Sequence, residues 1–229
     1  QATFRDAMYT SYKQNRPAPP DELIPQFDYV KDISEQFGFV NIGVANYEAD
    51  DVIGTLAKIY SKDNEVHIVT GDRDILQCIN EQVEVWLIRK GFNIYHHYTL
   101  NRFNEEYALH PLQLIDIKAF MGDSADGYPG VKGIGEKTAI KLIQSYGSVE
   151  NVLDNIESLT PNQQKKIAID KENLILSKQL AKIYTDVPID TTALYEEMEY
   201  THSLNHILSI CNEHELYVSG KYLASKILM

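Results

Sequence analysis

Short apolar runs alternate with stretches of helical spacing along the first half of the chain. We predict strands at residues 40–44, 66–70, 83–88 and 93–98. The first two runs pass directly into acidic residues and then into a helical pattern. Strands that alternate with helices in this way are typical of a parallel sheet flanked by helices, so we predict an α/β fold.

The most unusual stretch is residues 47–56, where Glu48, Asp50 and Asp51 crowd the head of an apolar run with helical spacing. The positive end of a helix dipole favours carboxylates in the first turn, which explains one or two of these acids. Three acids repel one another unless a cation lies among them. Mg²⁺ or Mn²⁺, which prefer oxygen ligands, are the natural candidates.

A second acidic group, Asp72 and Asp74, follows the predicted strand at residues 66–70. The carboxyl ends of parallel strands meet at one edge of a sheet, which is where open α/β sheets place their sites. We therefore expect the two acidic groups, although remote in sequence, to lie close together.

The N-terminal segment, residues 4–16, carries basic and aromatic residues at helical spacing and predicts a helix. Its basic and aromatic face is typical either of a solvated surface or of a contact surface for phosphates and bases, and the residues alone leave both open. Prolines at 17, 19 and 20 then break the chain, and residues 21–37 predict a second helix. Two helices joined by a proline-rich turn could form an arch or a lid.

From residue 101 onward the pattern is helical. A largely buried helix over residues 112–121 ends at the acidic run 122–126, and a glycine-rich turn at 130–135 opens the next helix. Backbone N–H groups at such a turn form an anion site, although glycine caps on a helix–turn–helix would give the same backbone. The spacing fits neither a Walker loop, nor a dinucleotide-binding fingerprint, nor a calcium loop. Further helices are predicted at 158–180, 202–216 and 222–228, with a linker or edge strand at 186–190.

Composition excludes few classes of protein. The 229 residues carry a net charge of −12, which argues against non-specific coating of nucleic acid but does not exclude a nuclease. Cys78 and Cys211 form no metal-spacing motif and favour a reducing compartment, the cytoplasm. His96 and His97 are adjacent on a predicted strand, so they face opposite sides and are not expected to share a zinc ion. We see no transmembrane or signal segment, and we expect further residues before Gln1.

The motifs, taken in order, resemble those of the bacterial 5′→3′ exonuclease and flap endonuclease family, which includes the nuclease domain of bacterial DNA polymerase I. The motifs lie at residues 4–5, 12–17, 47–51, 70–74, 122–126 and 129–139. The resemblance covers nearly the whole chain. It implies a PIN-like parallel sheet flanked by helices, with a helical arch and a helix–three-turn–helix DNA-binding subdomain. One departure is Gly127-Tyr128, where the family more usually has Asn-Ile.

The resemblance also implies roles for particular residues. Two Mg²⁺ or Mn²⁺ ions would be held by one set, Glu48, Asp50, Asp51 and Asp72, and by a second set, Asp74, Asp123 and Asp126. Arg5 and Lys13 would act on the phosphate, and Tyr12, Lys13 and Arg16 would belong to the arch. The turn that grips duplex DNA, and often holds K⁺, would include Lys132, Gly133, Gly135, Lys137 and Lys141.

The function that we expect is a monomeric, structure-specific nuclease that hydrolyses DNA at 5′ ends and flaps by a two-metal mechanism in replication and repair. Two alternatives stay open: a binder of branched DNA that does not cut, and a phosphate-handling enzyme that acts on small molecules. The predicted organisation is a nuclease core with arch helices over residues 1–100, a DNA-binding region over 101–190, and C-terminal helices over 191–229 that pack on the core.

Overall fold

The structure is a computed structural model that describes residues 2–90 and 94–227. Its α-helices are α1 (Phe4–Met8), α2 (Ile24–Gln36), α3 (Ala49–Tyr60), α4 (Leu100–Tyr107), α5 (Leu114–Met121), α6 (Glu136–Tyr146), α7 (Val149–Asp154), α8 (Pro161–Ile169), α9 (Lys171–Ala181), α10 (Leu194–Glu197), α11 (Leu204–Glu213) and α12 (Tyr217–Ile227). Its strands are β1 (Val66–Thr70), β2 (Val83–Lys90) and β3 (Ile94–Tyr98). Short 3₁₀ helices span Arg73–Cys78, Pro111–Gln113 and Ile156–Ser158. None of the described helices is long and apolar enough to cross a membrane.

The sheet has the order β1-β2-β3 and confirms the α/β prediction. β1 and β2 are parallel, with Val66 opposite Val83. β2 and β3 are antiparallel, with an irregular register between Ile88 and Lys90. The sheet is therefore mixed, because the connection from β2 to β3 is too short for the crossover that a parallel pair needs. The predicted strand at residues 93–98 begins at Asn93, which lies outside the described residues.

The predicted strand at residues 40–44 is wrong. These residues belong to no strand in the described part of the chain, and the nearest pairing is a single bridge between Thr3 and Asn46. A short apolar run becomes a strand only where a neighbour accepts its backbone hydrogen bonds. The acidic helix α3 consequently follows an irregular segment instead of a strand.

The predicted helix at residues 4–16 is wrong beyond α1. Residues 9–16 form turns, in which Lys13 has a left-handed backbone with φ of 54°. The backbone N–H of Lys13 donates to the carbonyl of Asp126 at 2.8 Å, so a tertiary contact replaces the next helical bond. The second predicted helix forms as α2, and Gly38 follows it with φ of 85°.

Most helices of the second half form where they are predicted. α5 ends at Gly122, and α6 begins directly after the glycine-rich turn. The predicted helix at 158–180 is divided into α8 and α9 at Asp170. Residues 186–190 have no regular structure, and the predicted end of the last helix at Leu228 lies outside the described residues.

The hydrophobic core joins the sheet to the helices of the second half. α5 is apolar on nearly all sides and packs against α6 and α9. The fully buried side chains of this core include Val83, Val85, Phe103, Phe120, Ile143 and Leu174. Because α5 packs against two helices, its C-terminal end fixes the position at which the acidic loop begins.

The chain divides into two compact units. The first comprises Gln1–Arg16 and Val44–Val187, and the second comprises Pro17–Gly43 and Pro188–Met229. This division differs from the predicted boundaries, because the sheet and helices α5 to α8 share one hydrophobic core. Within the second unit, His214 Nε2 donates to Gln36 Oε1 at 2.9 Å, and His214 Nδ1 lies 3.0 Å from the hydroxyl of Tyr29. The predicted arch draws on residues of both units and stays a prediction.

Candidate metal centre

The N-terminal end of α3 gives its three acids different surroundings. Glu48 is the N-cap residue, and its backbone N–H donates to Asp51 Oδ2 at 3.0 Å. Asp51 therefore completes a capping box, which is a sufficient structural reason for a carboxylate at that position. Asp50, in contrast, lies near Asp72 and takes no part in the cap.

Arg5 and Asp51 form a buried ion pair in the first unit. Arg5 Nη1 donates to Asp51 Oδ2 at 2.7 Å, and Nη2 donates to Oδ1 at 2.8 Å. Arg5 also donates to the carbonyls of Leu180 and Lys182, and Asp51 Oδ1 accepts the N–H of Tyr184 at 2.8 Å. Burial by itself raises the pKa of Asp51, but the bonds from Arg5 and from backbone N–H groups outweigh it and hold that pKa below its usual value.

This geometry does not agree with the metal-binding role predicted for Asp51. Asp51 is fully buried and both of its oxygens are occupied, so it is not available to a metal ion. Arg5 is 2% exposed, and its guanidinium is held by Asp51 and by two backbone carbonyls. Its Nη1 also lies 3.6 Å from Glu48 Oε2 at the wall of a small cavity, so its predicted role at a phosphate stays a prediction. The pair ties α1, α3 and the segment after α9 together.

A second network joins Glu48 to Asp126, which are far apart in sequence. Tyr12 Oη lies 3.1 Å from Glu48 Oε2 and 3.2 Å from Asp126 Oδ2. Lys13 Nζ lies 2.6 Å from Glu48 Oε1 and 3.8 Å from Asp126 Oδ2, and Arg16 pairs with Asp126 from the exposed side. Tyr12 is 3% exposed, so its ring does not offer the predicted stacking surface for a base. Burial and the two acids raise the pKa of Tyr12, which keeps its hydroxyl protonated.

Asp74 and Asp123 are bridged by Lys118 of α5. Lys118 Nζ lies 2.6 Å from Asp74 Oδ1 and 2.5 Å from Asp123 Oδ2. Burial lowers the pKa of Lys118, but the two carboxylates more than compensate and raise it above its usual value. Asp123 Oδ1 also accepts the N–H of Asp126 at 3.1 Å, so the loop itself holds these two acids together. Asp72, the N-cap of the 3₁₀ helix, accepts the N–H of Asp74 at 2.9 Å.

Asp50 lies between the two networks. Burial is the largest cause that raises the pKa of Asp50 to about 6, and the charges of Asp72, Glu48 and Asp74 raise it further while Lys13 opposes them. Asp50, Glu48, Asp74 and Asp126 line one small cavity. Carboxylates from three separate segments therefore surround the same space.

Six of the seven predicted metal ligands are thus brought into one cluster, defined by Glu48, Asp50, Asp72, Asp74, Asp123 and Asp126, and we call it the acidic cluster. Three cations of the described residues, Lys13, Arg16 and Lys118, pair with it, and a fourth, Arg5, lies 3.6 Å from Glu48 but is shared with Asp51, so negative charge stays in excess. Tyr128 also lines the cavity, and its buried hydroxyl has no hydrogen-bond partner in the described part of the chain. Hard oxygen donors, uncompensated charge and a free hydroxyl together fit a divalent cation such as Mg²⁺ or Mn²⁺.

Asp50→Asn is expected to stabilise the metal-free protein at pH 7.5. The pKa of Asp50 is about 6 in the folded protein, against about 3.9 in the unfolded chain. Between these values the folded state binds more protons, so stability falls as pH rises from about 4 to about 6 and stays reduced above. The shift corresponds to at most about 3 kcal/mol, which asparagine recovers.

Urea unfolding in EDTA measures this effect. The advantage of Asp50→Asn over the unaltered protein should be present at pH 7.5 and absent near pH 4, and Asp63→Asn, at an exposed acid outside the cluster, should show no such trend. Equal stabilities of Asp50→Asn and the unaltered protein at pH 7.5 would show that folding does not raise the pKa of Asp50.

The glycines between α5 and α6 differ in whether the packing of the protein requires them. A Cβ on Gly130 would lie 2.2 Å from the backbone N of Gly122, and a Cβ on Gly122 would lie 2.6 Å from the backbone of Pro129. These two glycines are therefore required by the packing of the loop. Gly135, the N-cap of α6, is different, because a Cβ there would meet no atom within 4 Å. The protein's own packing does not explain why this position has no side chain.

The other residues predicted to bind DNA lie on the surface beside Gly135. Lys132, Gly133, Lys137 and Lys141 are all exposed. Gly133 has φ of 79°, and its carbonyl accepts a bond from Lys166 Nζ at 2.8 Å. The ammonium group of Lys166 is therefore already bonded to a carbonyl of the turn that is predicted to hold K⁺.

Lys118 and Lys166 contribute to these sites but were not singled out from the sequence, and Tyr128 was noted only as part of a departure from the family motif. Lys118 has one sequence signal, since it is a basic residue in the otherwise largely apolar helix α5. Lys166 has none, because its position depends on how α8 folds back, and the departure at Tyr128 did not indicate that its hydroxyl would line the cavity.

The small sheet, the helices packed on it and the acidic cluster describe an α/β protein with a candidate metal centre made of carboxylates. The family model described as the 5′-3′ exonuclease N-terminal resolvase-like domain matches residues 1–108, and that for the 5′-3′ exonuclease C-terminal SAM fold matches residues 109–203. The chain belongs to the 5′-3′ exonuclease family, which confirms the resemblance seen in the sequence.

Individual relatives agree with this assignment. The chain is 50% identical to a 5′-3′ exonuclease of Bacillus subtilis over 83% of this chain and 64% of the relative. It is 43% identical to DNA polymerase I of Lactococcus lactis over 83% of this chain and 22% of that protein. The chain thus spans less than two thirds of the length of these relatives. The D15 flap endonuclease of bacteriophage T5, solved in a complex with DNA and metal ions, superposes with a TM-score of 0.68 at 20% identity, covering 93% of this chain and 81% of the other. This likeness supports the fold.

Proposed function

We propose that this protein is a metal-dependent 5′→3′ exonuclease and flap endonuclease that hydrolyses DNA phosphodiesters in replication and repair. The observation that supports the proposal is the convergence of six carboxylates from three remote segments in the acidic cluster, four of which line one small cavity. Family membership supports the same activity. The Bacillus subtilis relative is named a 5′-3′ exonuclease.

The acidic cluster would hold two divalent ions, Mg²⁺ or Mn²⁺. We assign Glu48, Asp50 and Asp72 to one ion and Asp74, Asp123 and Asp126 to the other. When bound, such ions lower the pKa of water and stabilise charge at the scissile phosphate. Asp51 is left out because it is paired with Arg5.

Two lysines of the described residues, Lys13 and Lys118, pair with the acidic cluster. The Lys13 side chain is a quarter exposed beside Glu48, so its ammonium group can turn toward a phosphate that enters the cavity and neutralise charge on it. Lys118 lies between Asp74 and Asp123 and offsets their repulsion when no other cation is present. We assign Arg5 to the positioning of α3 through its ion pair with Asp51, and not to contact with the substrate.

The DNA partner would be held at the turn before α6. The open space at Gly135 allows a phosphate to approach the backbone N–H groups at the start of the helix. Lys137 and Lys141, which are four residues apart and exposed on α6, together with Lys132 and Gly133, would extend this surface. Contacts of this kind position a duplex without reading its sequence, which suits an enzyme that selects flap structure. The T5 relative was solved with DNA and metal ions.

The proposal also includes a K⁺ ion, an oligomeric state and a cellular compartment. K⁺ at the turn would have to displace Lys166 Nζ from the carbonyl of Gly133. We also propose that the protein acts as a monomer in the cytoplasm.

The test is cleavage of a 5′-flap duplex by the chain as it stands, in MgCl₂ and in MnCl₂, with a 3′-flap duplex as the matched control substrate. We expect cutting of the 5′ flap, no cutting of the 3′ flap, and complete inhibition by EDTA. Tight binding in CaCl₂ without cutting in MgCl₂ or MnCl₂ would favour a binder of branched DNA. Failure to bind any DNA structure at low salt would overturn both ideas.

A further inference from the structure

Three polar side chains meet on one face of the sheet, apart from the acidic cluster. His67 of β1 lies directly opposite Glu84 of β2. His97 of β3 lies opposite Trp86, which is two residues beyond Glu84 and therefore on the same face. Each of the three strands thus contributes one of these side chains to the same face.

The donor atoms of these side chains are close enough to share an ion. His67 Nδ1 lies 3.5 Å from Glu84 Oε2, and His97 Nε2 contacts the same oxygen. All three donor atoms lie within 4.8 Å of one another. Zinc–ligand bonds of about 2.1 Å place the donor atoms of a tetrahedral site about 3.4 Å apart, so small side-chain rotations complete the geometry.

Trp86 restricts the orientation of both imidazole rings. Its ring centroid lies 5.5 Å from that of His67 and 5.1 Å from that of His97, each in an edge-on arrangement. The two histidine side chains are 43% and 47% exposed, so an ion reaches them from solvent. The site is therefore open on one side and supported by packing on the other.

We propose that His67, Glu84 and His97 bind one transition-metal ion of the zinc type. Two imidazoles and one carboxylate are a known zinc donor set that leaves a fourth position to water. Imidazole nitrogen selects Zn²⁺, Co²⁺ or Ni²⁺, whereas the oxygen-only acidic cluster suits Mg²⁺ or Mn²⁺. The bound ion clips the three strands together, including β1, which leads into Asp72 and Asp74.

Trp86 provides a reporter for this site, because it is the only tryptophan of the chain. CoCl₂, added in saturating MgCl₂ that fills the acidic cluster, should quench the fluorescence of Trp86, and ZnCl₂ should reverse the quenching by displacement. His67→Gln and His97→Gln should each lose the saturable quenching. His96→Gln is the matched control and should retain it, since His96 is the neighbour of His97 on the opposite face of β3.

Thermal unfolding gives an independent measurement. ZnCl₂ should raise the Tm of the unaltered protein and of His96→Gln, but not that of His97→Gln or His67→Gln. Circular dichroism establishes that each variant folds, and either histidine variant suffices if the other does not. The proposal is overturned if CoCl₂ quenches nothing beyond the collisional background, or if quenching persists unchanged in both His67→Gln and His97→Gln.

Discussion

Cleavage of a 5′-flap substrate should fall by about 10³-fold in Asp50→Asn, because loss of a central ligand removes about 4 kcal/mol of charge stabilisation at the phosphate. Asp50 has no structural partner in the capping box of α3 and lies among Glu48, Asp72 and Asp74. DNA affinity should change little, since phosphate contacts elsewhere hold the duplex. Single-turnover cleavage and fluorescence anisotropy measure the two effects separately.

The stability of Asp50→Asn makes this result unambiguous. The same substitution is expected to stabilise the metal-free protein at pH 7.5, so lost cleavage could not be ascribed to unfolding. Asp63→Asn, at an exposed acid outside the cluster, should cut at the normal rate. Retained cleavage by Asp50→Asn in MgCl₂ would contradict the assignment of this residue to a metal ion.

Arg5→Met should lower the free energy of unfolding by about 3–5 kcal/mol, the usual effect of removing one partner of a buried ion pair. The substitution leaves the Asp51 carboxylate buried with only backbone donors, and leaves the carbonyls of Leu180 and Lys182 without their guanidinium partner. Denaturant unfolding measures the effect. Arg89→Met, at an exposed arginine of β2, is the control and should change stability by less than about 0.5 kcal/mol.

A second variant separates the structural role of Arg5 from the catalytic one. Arg5→Met combined with Asp51→Leu should recover part of the lost stability, because it removes the unpaired charge. If Arg5→Met were as stable as the unaltered protein but lost cleavage, Arg5 would be a phosphate contact, as the family resemblance implies, and the structural role would be wrong.

The sequence predicted the elements whose signals are local. β1 and β2 are recognisable as apolar runs, and α5 and α6 are bounded by glycines. The strand at residues 40–44 could not be judged in this way, because its formation depends on a partner strand elsewhere. The helix at residues 4–16 failed for a similar reason, since the contact of Lys13 with Asp126 overrides local helical preference.

The acids of the acidic cluster were predicted from the sequence. The sequence did not show which of the neighbouring acids binds a metal and which caps a helix. A carboxylate that binds a metal and one that caps a helix look alike in sequence, and only the position of Arg5 shows that Asp51 is the latter. Tyr12 likewise belongs to a basic and aromatic segment, yet it is buried beneath Glu48 and Asp126. Long-range packing, which the sequence pattern does not encode locally, decides both cases.

The most direct test of the central claim is a titration with Mn²⁺ at pH 7.5, followed by electron paramagnetic resonance of the free ion. The unaltered protein and Asp63→Asn should bind Mn²⁺ with the same affinity. Asp50→Asn should bind its tightest ion at least about 10-fold more weakly, because one carboxylate of the acidic cluster is lost. Equal Mn²⁺ affinity in all three proteins would show that the converging carboxylates do not form a metal centre.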